Sequence, residues 1–310
     1  MGFGTYNNSN LQIAAIAPMY EIVQEHRPES SMYCVYTNTD VSEEKGNHDH
    51  VFPLALGGDN KFCVWSDKQF NHDIGSKIDG ALANDPLIML ARRHADARGH
   101  SNTPPVPVWK HSEFQGRPVQ VSWGDEVGVW DAKSNKYLPP EDFLQKQMQS
   151  TLRYDYCVRS KFTGKVALGG GFFLFGNTLL TTVDCEELRR LLKAEDVTKF
   201  QTTLIADDPV LKGRWPNDIT GFRILCEFMQ RTTFIALPYA TGVAFHVGVL
   251  GMYVGSIFCP GDVSKLKPED GEAIILGPGP MERLPLRKLG EQFSAFVDRV
   301  KPAKAAETKD

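Results

Sequence analysis

No run of about eighteen consecutive apolar residues occurs in the 310-residue chain, which excludes a membrane-spanning helix on sequence grounds. The opening MGFGTYNNSN lacks a basic segment followed by an apolar one, so no secretory leader is expected. Tyr6 stands where the myristoylation pattern needs Ser or Thr. Cysteines are few and scattered (Cys34, Cys63, Cys157, Cys185, Cys226, Cys259), and no two share CxxC spacing. Reduced thiols and a cytoplasmic location are the expectation. Positive charge is not in excess: 34 Lys and Arg stand against 38 Asp and Glu, a net −4. The whole molecule is therefore no polycation, and any surface for nucleic acid must be local. Gly169-Gly170-Gly171 is not followed by Lys-Ser/Thr and completes no GxGxxG, so it is no phosphate loop; close packing is its expected use. Cys157 has no base paired with it in sequence and is not read as a nucleophile. There is no internal repeat.

The 42% hydrophobic and 23% charged residues that are present fit a soluble globular chain. Its length suits one large core or two ordinary domains. The periodicities predict an α+β protein. In 1–30, Leu11 to His26 reads as a helix. Ser31 to Tyr36 reads as a strand, 41–47 as a polar loop, and Val51 to Leu56 as an apolar run ending at the Gly57-Gly58 turn. Lys61 to Trp65 reads as a second strand. Phe70, Ile74, Ile78 and Leu82 then mark a helix from Lys68 to Arg93, capped by Asp67 and broken or kinked at Pro86. The Pro-rich 102–107 reads as a linker. Beyond it come strands over 117–130, an apolar Gly-rich tract over 165–175, an amphipathic helix over 185–194, strands over 232–237 and 243–258, and a helix over 286–300. The charged, Ala-rich 301–310 is expected to be a tail. The expected organisation is 1–30, a chemistry-bearing segment 31–101, the linker 102–107, an α+β domain 108–300 of unassigned role, and the tail.

The informative run is Asn47-His48-Asp49-His50-Val51-Phe52-Pro53, then Gly57-Gly58-Asp59-Asn60, then Phe70-Asn71-His72-Asp73-Ile74-Gly75. Phosphodiester hydrolysis needs a base to deprotonate water, a cation to neutralise the scissile phosphate and the leaving oxygen, and a group holding the base in the right tautomer. One histidine, one carboxylate and a few amides can supply all three.

The order Asp-His-x-x-Pro, Gly-Gly-x-Asn, then an Asn on a helix resembles the HNH endonucleases. The likeness covers about a fifth of the chain and extends along the helix through Asp79. It implies a small ββα-metal, HNH-like module over 31–101, followed by a larger α+β domain. Position by position, it implies that Asp49 binds a divalent ion, that His50 is the general base, and that Asn60 orients His50. Asn71 would be the second metal ligand, in the place where His is usual. One carboxylate and one carboxamide are hard oxygen donors, which suits Mg²⁺, with Mn²⁺ able to substitute. Many HNH proteins bind a structural zinc through two CxxC pairs. Here 34–37 and 67–70 hold one cysteine of the four, so no structural zinc is expected, and Tyr36 and Phe70 are expected to pack instead. The implied activity is hydrolysis of nucleic acid, DNA being the usual substrate, to a 5′-phosphate and a 3′-hydroxyl.

Other readings start from the same residues. His48 and His50 can share a strand face and, with His72, form an HxH metallohydrolase site for a small molecule. A protein that binds nucleic acid through a decayed site is a further possibility. Lys77, Arg92, Arg93 and Arg98 are candidate phosphate contacts. Against them, 31–100 carries seven basic and ten acidic side chains, so its charge alone would not hold DNA. Trp123, Trp130, Trp215 and Tyr253 could stack bases but read first as core. His246, in an apolar strand, reads as a satisfied core histidine.

Overall fold

The structure, a computed structural model, describes residues 31–101, 103–153, 155–201, 205–207, 220–266 and 271–300. The expected helix in 1–30, Trp215 and the tail lie outside them. The fold mixes helix and sheet, 37% and 32%.

Two short hairpins come first. β1 (Ser31–Cys34) pairs antiparallel with β2 (Thr39–Ser42), and β3 (Gly46–His50) with β4 (Cys63–Asp67). Two of these strands lie in or overlap the stretch expected to be a polar loop. Their side chains are too polar to give an apolar alternation, and pairing with β1 and β4 supplies what pattern does not. Asp67 Oδ1 accepts from Phe70 N at 2.9 Å and starts α1 (Lys68–Phe70), as expected of a cap. A π-helical turn over Asn71–Gly75 carries α1 into α2 (Ser76–Ala83). Pro86 then opens a new helix, α3 (Pro86–His94), because Asp85 Oδ1 accepts from Leu87 N and Ile88 N at 3.0 and 3.1 Å.

Next come β5 (Val108–Phe114), β6 (Arg117–Trp123), β7 (Val127–Asp131), β8 (Lys136–Tyr137), α4 (Pro140–Phe143) and β9 (Gln149–Ser150). They form a five-stranded sheet in the order β8-β7-β6-β5-β9, with its own small core of Phe114, Val119, Val121, Val129 and Phe143. Trp109 and Trp123 pack on that core with ring centroids 4.8 Å apart.

α5 (Tyr156–Phe175), α6 (Asn177–Thr182) and α7 (Cys185–Lys193) follow. The apolar Gly-rich tract lies inside α5, where the sequence reading placed no helix. Thirteen of the twenty residues of α5 are buried. A helix covered on every side shows no 3.6-residue stripe, so its period is invisible. Its glycines do what was expected of them: a Cβ at Gly170 would stand 2.6 Å from the Phe234 ring, and one at Gly169 2.4 Å from the Tyr36 hydroxyl.

β10 (Ile205–Asp207), α8 (Thr220–Met229), β11 (Thr232–Tyr239), β12 (Gly242–Val249), β13 (Met252–Pro260), β14 (Glu272–Leu276), β15 (Glu282–Pro285) and α9 (Leu286–Val300) complete the described elements. The strands form an antiparallel sheet, β10-β13-β12-β11-β14-β15. One face meets α5. Ile235, Ala273 and Ile275 on the other meet Leu225 and Leu289 of α8 and α9. His246 is buried against Phe222, with Nδ1 2.5 Å from Ser256 Oγ, and burial lowers its pKa to about 3. It is a neutral, hydrogen-bonded core residue, as the sequence suggested. Tyr253 is likewise buried.

The expected division at 102–107 does not separate two cores. Phe52 packs on Phe162 at 5.9 Å, and Phe62 on Phe173 and Phe234 at 4.8 and 6.0 Å, within one cluster drawn from both sides of that segment. Two hairpins and two short helices cannot bury their own apolar face, so they lie on α5 and β11. Composition located a connection and could not say what it connects. Segment 108–150 has a small core of its own.

Candidate functional site

β3 lies opposite β4 with His48 facing Trp65, Asp49 facing Val64 and His50 facing Cys63. Strand alternation therefore sends Asp49 to the buried side and both histidines to the other. Asp49 is 6% exposed, and His50 is partly exposed.

His50 Nε2 lies 2.8 Å from Asn60 Oδ1. A carboxamide oxygen only accepts, so Nε2–H donates, and in the neutral ring that tautomer leaves the lone pair on Nδ1. The loop between the strands sets this contact. Its Leu54–Leu56 3₁₀ turn ends on Gly57 at φ 79°, a left-handed conformation that disfavours a side chain. Phe52 and Phe62 anchor its two limbs in the core, and Val51 N donates to Phe62 O at 3.0 Å. Cys63 Sγ donates to Asn60 O at 3.1 Å.

On the buried side, Asp49 meets a group that sequence reasoning missed. Lys165, from the middle of α5 and 0% exposed, places Nζ 3.2 Å from Asp49 Oδ2 and 2.6 Å from Asp79 Oδ2 on α2. Burial works strongly against its charge, but Asp79 and Asp49 together outweigh that and raise its pKa. Asp79 itself is pushed up to about 6, first by burial, with Asp49 adding and Lys165 opposing. Two carboxylates thus share one ammonium, and the cluster is short of positive charge. Asp79 Oδ1 is a buried acceptor without a hydrogen-bond donor. Tyr36 is buried beside both acids, and burial followed by those charges raises its phenol far above the usual range. One signal of Lys165 was legible: it is the single charged residue in Phe162-Thr163-Gly164-Lys165-Val166-Ala167-Leu168, and a buried charge needs a partner.

Asn71 begins the π-helical turn and reaches the same cluster. A Cβ on Gly75 would stand 2.7 Å from Asn71 Oδ1 and 3.6 Å from Lys165 Cε, so the missing side chain at Gly75 leaves room for the carboxamide beside the lysine. Turns of this kind recur at functional positions. Tyr36 and Phe70 stack at 5.0 Å and 9°, as their sequence positions implied.

Other candidates fall elsewhere. His48 sets its ring edge-on to Trp65 at 5.3 Å, and His72 is exposed on the turn. His48, His50 and His72 therefore do not form a common ligand set. Among the described residues no three His, Cys, Asp or Glu side chains group for a metal. Three of the four expected phosphate contacts already have protein partners. Arg92 donates to Ala55 O and Ala83 O, both at 2.9 Å, bracing the loop against α2. Arg93 pairs with Asp125, and Arg98 with Asp96 at 2.8 Å. Lys77 is exposed on α2.

Asp49 and Asn71 offer hard oxygens, a carboxylate paired with Lys165 and a carboxamide beside the same lysine. That chemistry fits a small divalent cation, which would share Asp49 with Lys165. Two further ties fix α5 and β11 to this region: Arg159 Nη2 of α5 to Asp85 Oδ2 at 3.0 Å, and Thr232 Oγ1 of β11 to Leu56 O at 2.5 Å. Compared with family models, curated proteins and solved structures, the chain matches none. No helix among the described residues is long and apolar enough to cross a membrane.

Proposed function

We propose that the protein is an HNH-type, metal-dependent endonuclease that hydrolyses phosphodiester bonds of nucleic acid, DNA being the expected substrate. The observation that carries this reading is the 2.8 Å contact of His50 with Asn60, across the loop of a hairpin whose Asp49 pairs with Lys165, the lysine that Asn71 of the following helix lies beside. An imidazole fixed by an acceptor at Nε2 keeps Nδ1 basic. His50 Nδ1 takes a proton from water, and the oxygen of that water bonds to phosphorus. The bond to the 3′ oxygen breaks, leaving a 5′-phosphate and a 3′-hydroxyl that takes its proton from solvent. Asn60 holds the imidazole tautomer through the step. Asp49 and Asn71 are the residues that would hold Mg²⁺ or Mn²⁺. When bound, the ion supplies positive charge to the scissile phosphate and the leaving oxygen. Lys77 is exposed on the same helical run and is the phosphate contact that the reading retains.

Supercoiled plasmid with Mg²⁺ tests this. The wild type is expected to nick it, and His50→Ala to lose about 10²–10⁴ of the rate. Equal nicking by both proteins, or none by the wild type at high concentration, would reject the reading.

A further inference from the structure

Lys165 places a permanent cation where a divalent ion would be held. Its ammonium lies 2.6 Å from Asp79 Oδ2 and 3.2 Å from Asp49 Oδ2, the closer contact going to Asp79. The lysine is thus held more closely by Asp79 than by Asp49. A purely structural buried pair needs one acid per base. Here the second acid is the residue assigned to the metal, so its charge is the one the cluster can lend.

We propose that Lys165 is a built-in competitor for the metal ion: it neutralises Asp49 when no ion is bound and keeps ion binding weak until a phosphate adds negative charge. This rests on the nuclease reading for the identity of the phosphate, but the competition itself does not. Two cations on one poorly solvated carboxylate repel strongly, because the interior screens charge far less than water does. An added phosphate offsets that repulsion, and linkage makes the help mutual: substrate tightens the ion, and the ion tightens substrate. Lys165 is on this view a positioning and tuning residue, since its buried Nζ touches no substrate.

The test is a Mn²⁺ titration of the full chain by calorimetry, with circular dichroism to check folding. Lys165→Met is expected to bind Mn²⁺ at least about tenfold tighter than wild type, which corresponds to about 1.4 kcal/mol. The double variant Lys165→Met with Asp79→Asn removes one of the two acids that loss of the lysine strands, leaving only Asp49 for the ion, and limits misfolding; it is expected to shift in the same direction. Unchanged or weaker affinity in a folded variant overturns the proposal, as does absence of Mn²⁺ binding in all three proteins. Plasmid nicking separates the two ideas. Wild-type nicking with unchanged affinity in the variants removes the competitor role and leaves the nuclease. Tighter binding in the variants without wild-type nicking removes the nuclease and leaves the competition.

Discussion

The two faces of β3 carry neighbouring residues with opposite fates. Asp49 points inward, loses nearly all contact with water, and is held by a lysine that arrives 116 positions later in the chain. His50 points the other way, stays partly exposed, and is held by an asparagine ten residues on, in its own hairpin. A strand end is thereby used twice: the buried face supplies a desolvated charge, and the open face supplies a titratable ring that water can reach. The buried contact is expensive to break and spans elements distant in sequence. The open contact is local.

The largest expected effect lies on the open face: His50→Ala removes about 10²–10⁴ of plasmid cleavage and little stability, which pairs a nicking assay with thermal melting. Breaking the buried face does the reverse. Lys165→Met strands two carboxylates in the core and is expected to cost about 3–5 kcal/mol in a denaturant titration. Asn60→Ala frees the imidazole without removing it, so a loss of about 10–100-fold in cleavage is expected, with folding intact. A smaller effect is seen in pH dependence. The folded-state pKa of Asp79, about 6, lies above the ordinary 3.8, so the folded chain holds that proton more tightly than the unfolded one. Its contribution is fully present below the ordinary value and is lost as pH rises through about 6. The melting temperature of the wild type, measured relative to Asp79→Asn, should fall across that window. The smallest effect is expected at His48, exposed beside Trp65: His48→Ala should stay within about 0.5 kcal/mol of wild type in stability and keep its nicking activity.

The same contrast explains what the sequence could reveal. The Asp67 cap and the Gly57 turn depend on short spacings that residue order shows, whereas the contact of Asn60 with His50 across a hairpin and the Tyr36–Phe70 stack, 34 positions apart, were implied by the family resemblance. Lys165 is different. Nothing local joins it to Asp49 or Asp79. Only the packing of α5 on the hairpin does so, and α5 hid its helical period by being buried all round. Arg92 misled for a related reason: a guanidinium in a basic cluster looks like a phosphate contact until the backbone carbonyls it serves, Ala55 and Ala83, are placed beside it. The linker over 102–107 was legible as a composition change, but whether the core continues past it is a property of contacts between distant residues.

Chemical rescue tests most directly that His50 is the base. His50→Gly leaves a gap beside Asn60, and the protein is expected to nick plasmid in Mg²⁺ far more slowly than wild type. Added imidazole should restore part of that rate while leaving the wild type unchanged. Wild-type cleavage by His50→Gly without imidazole would contradict the assignment.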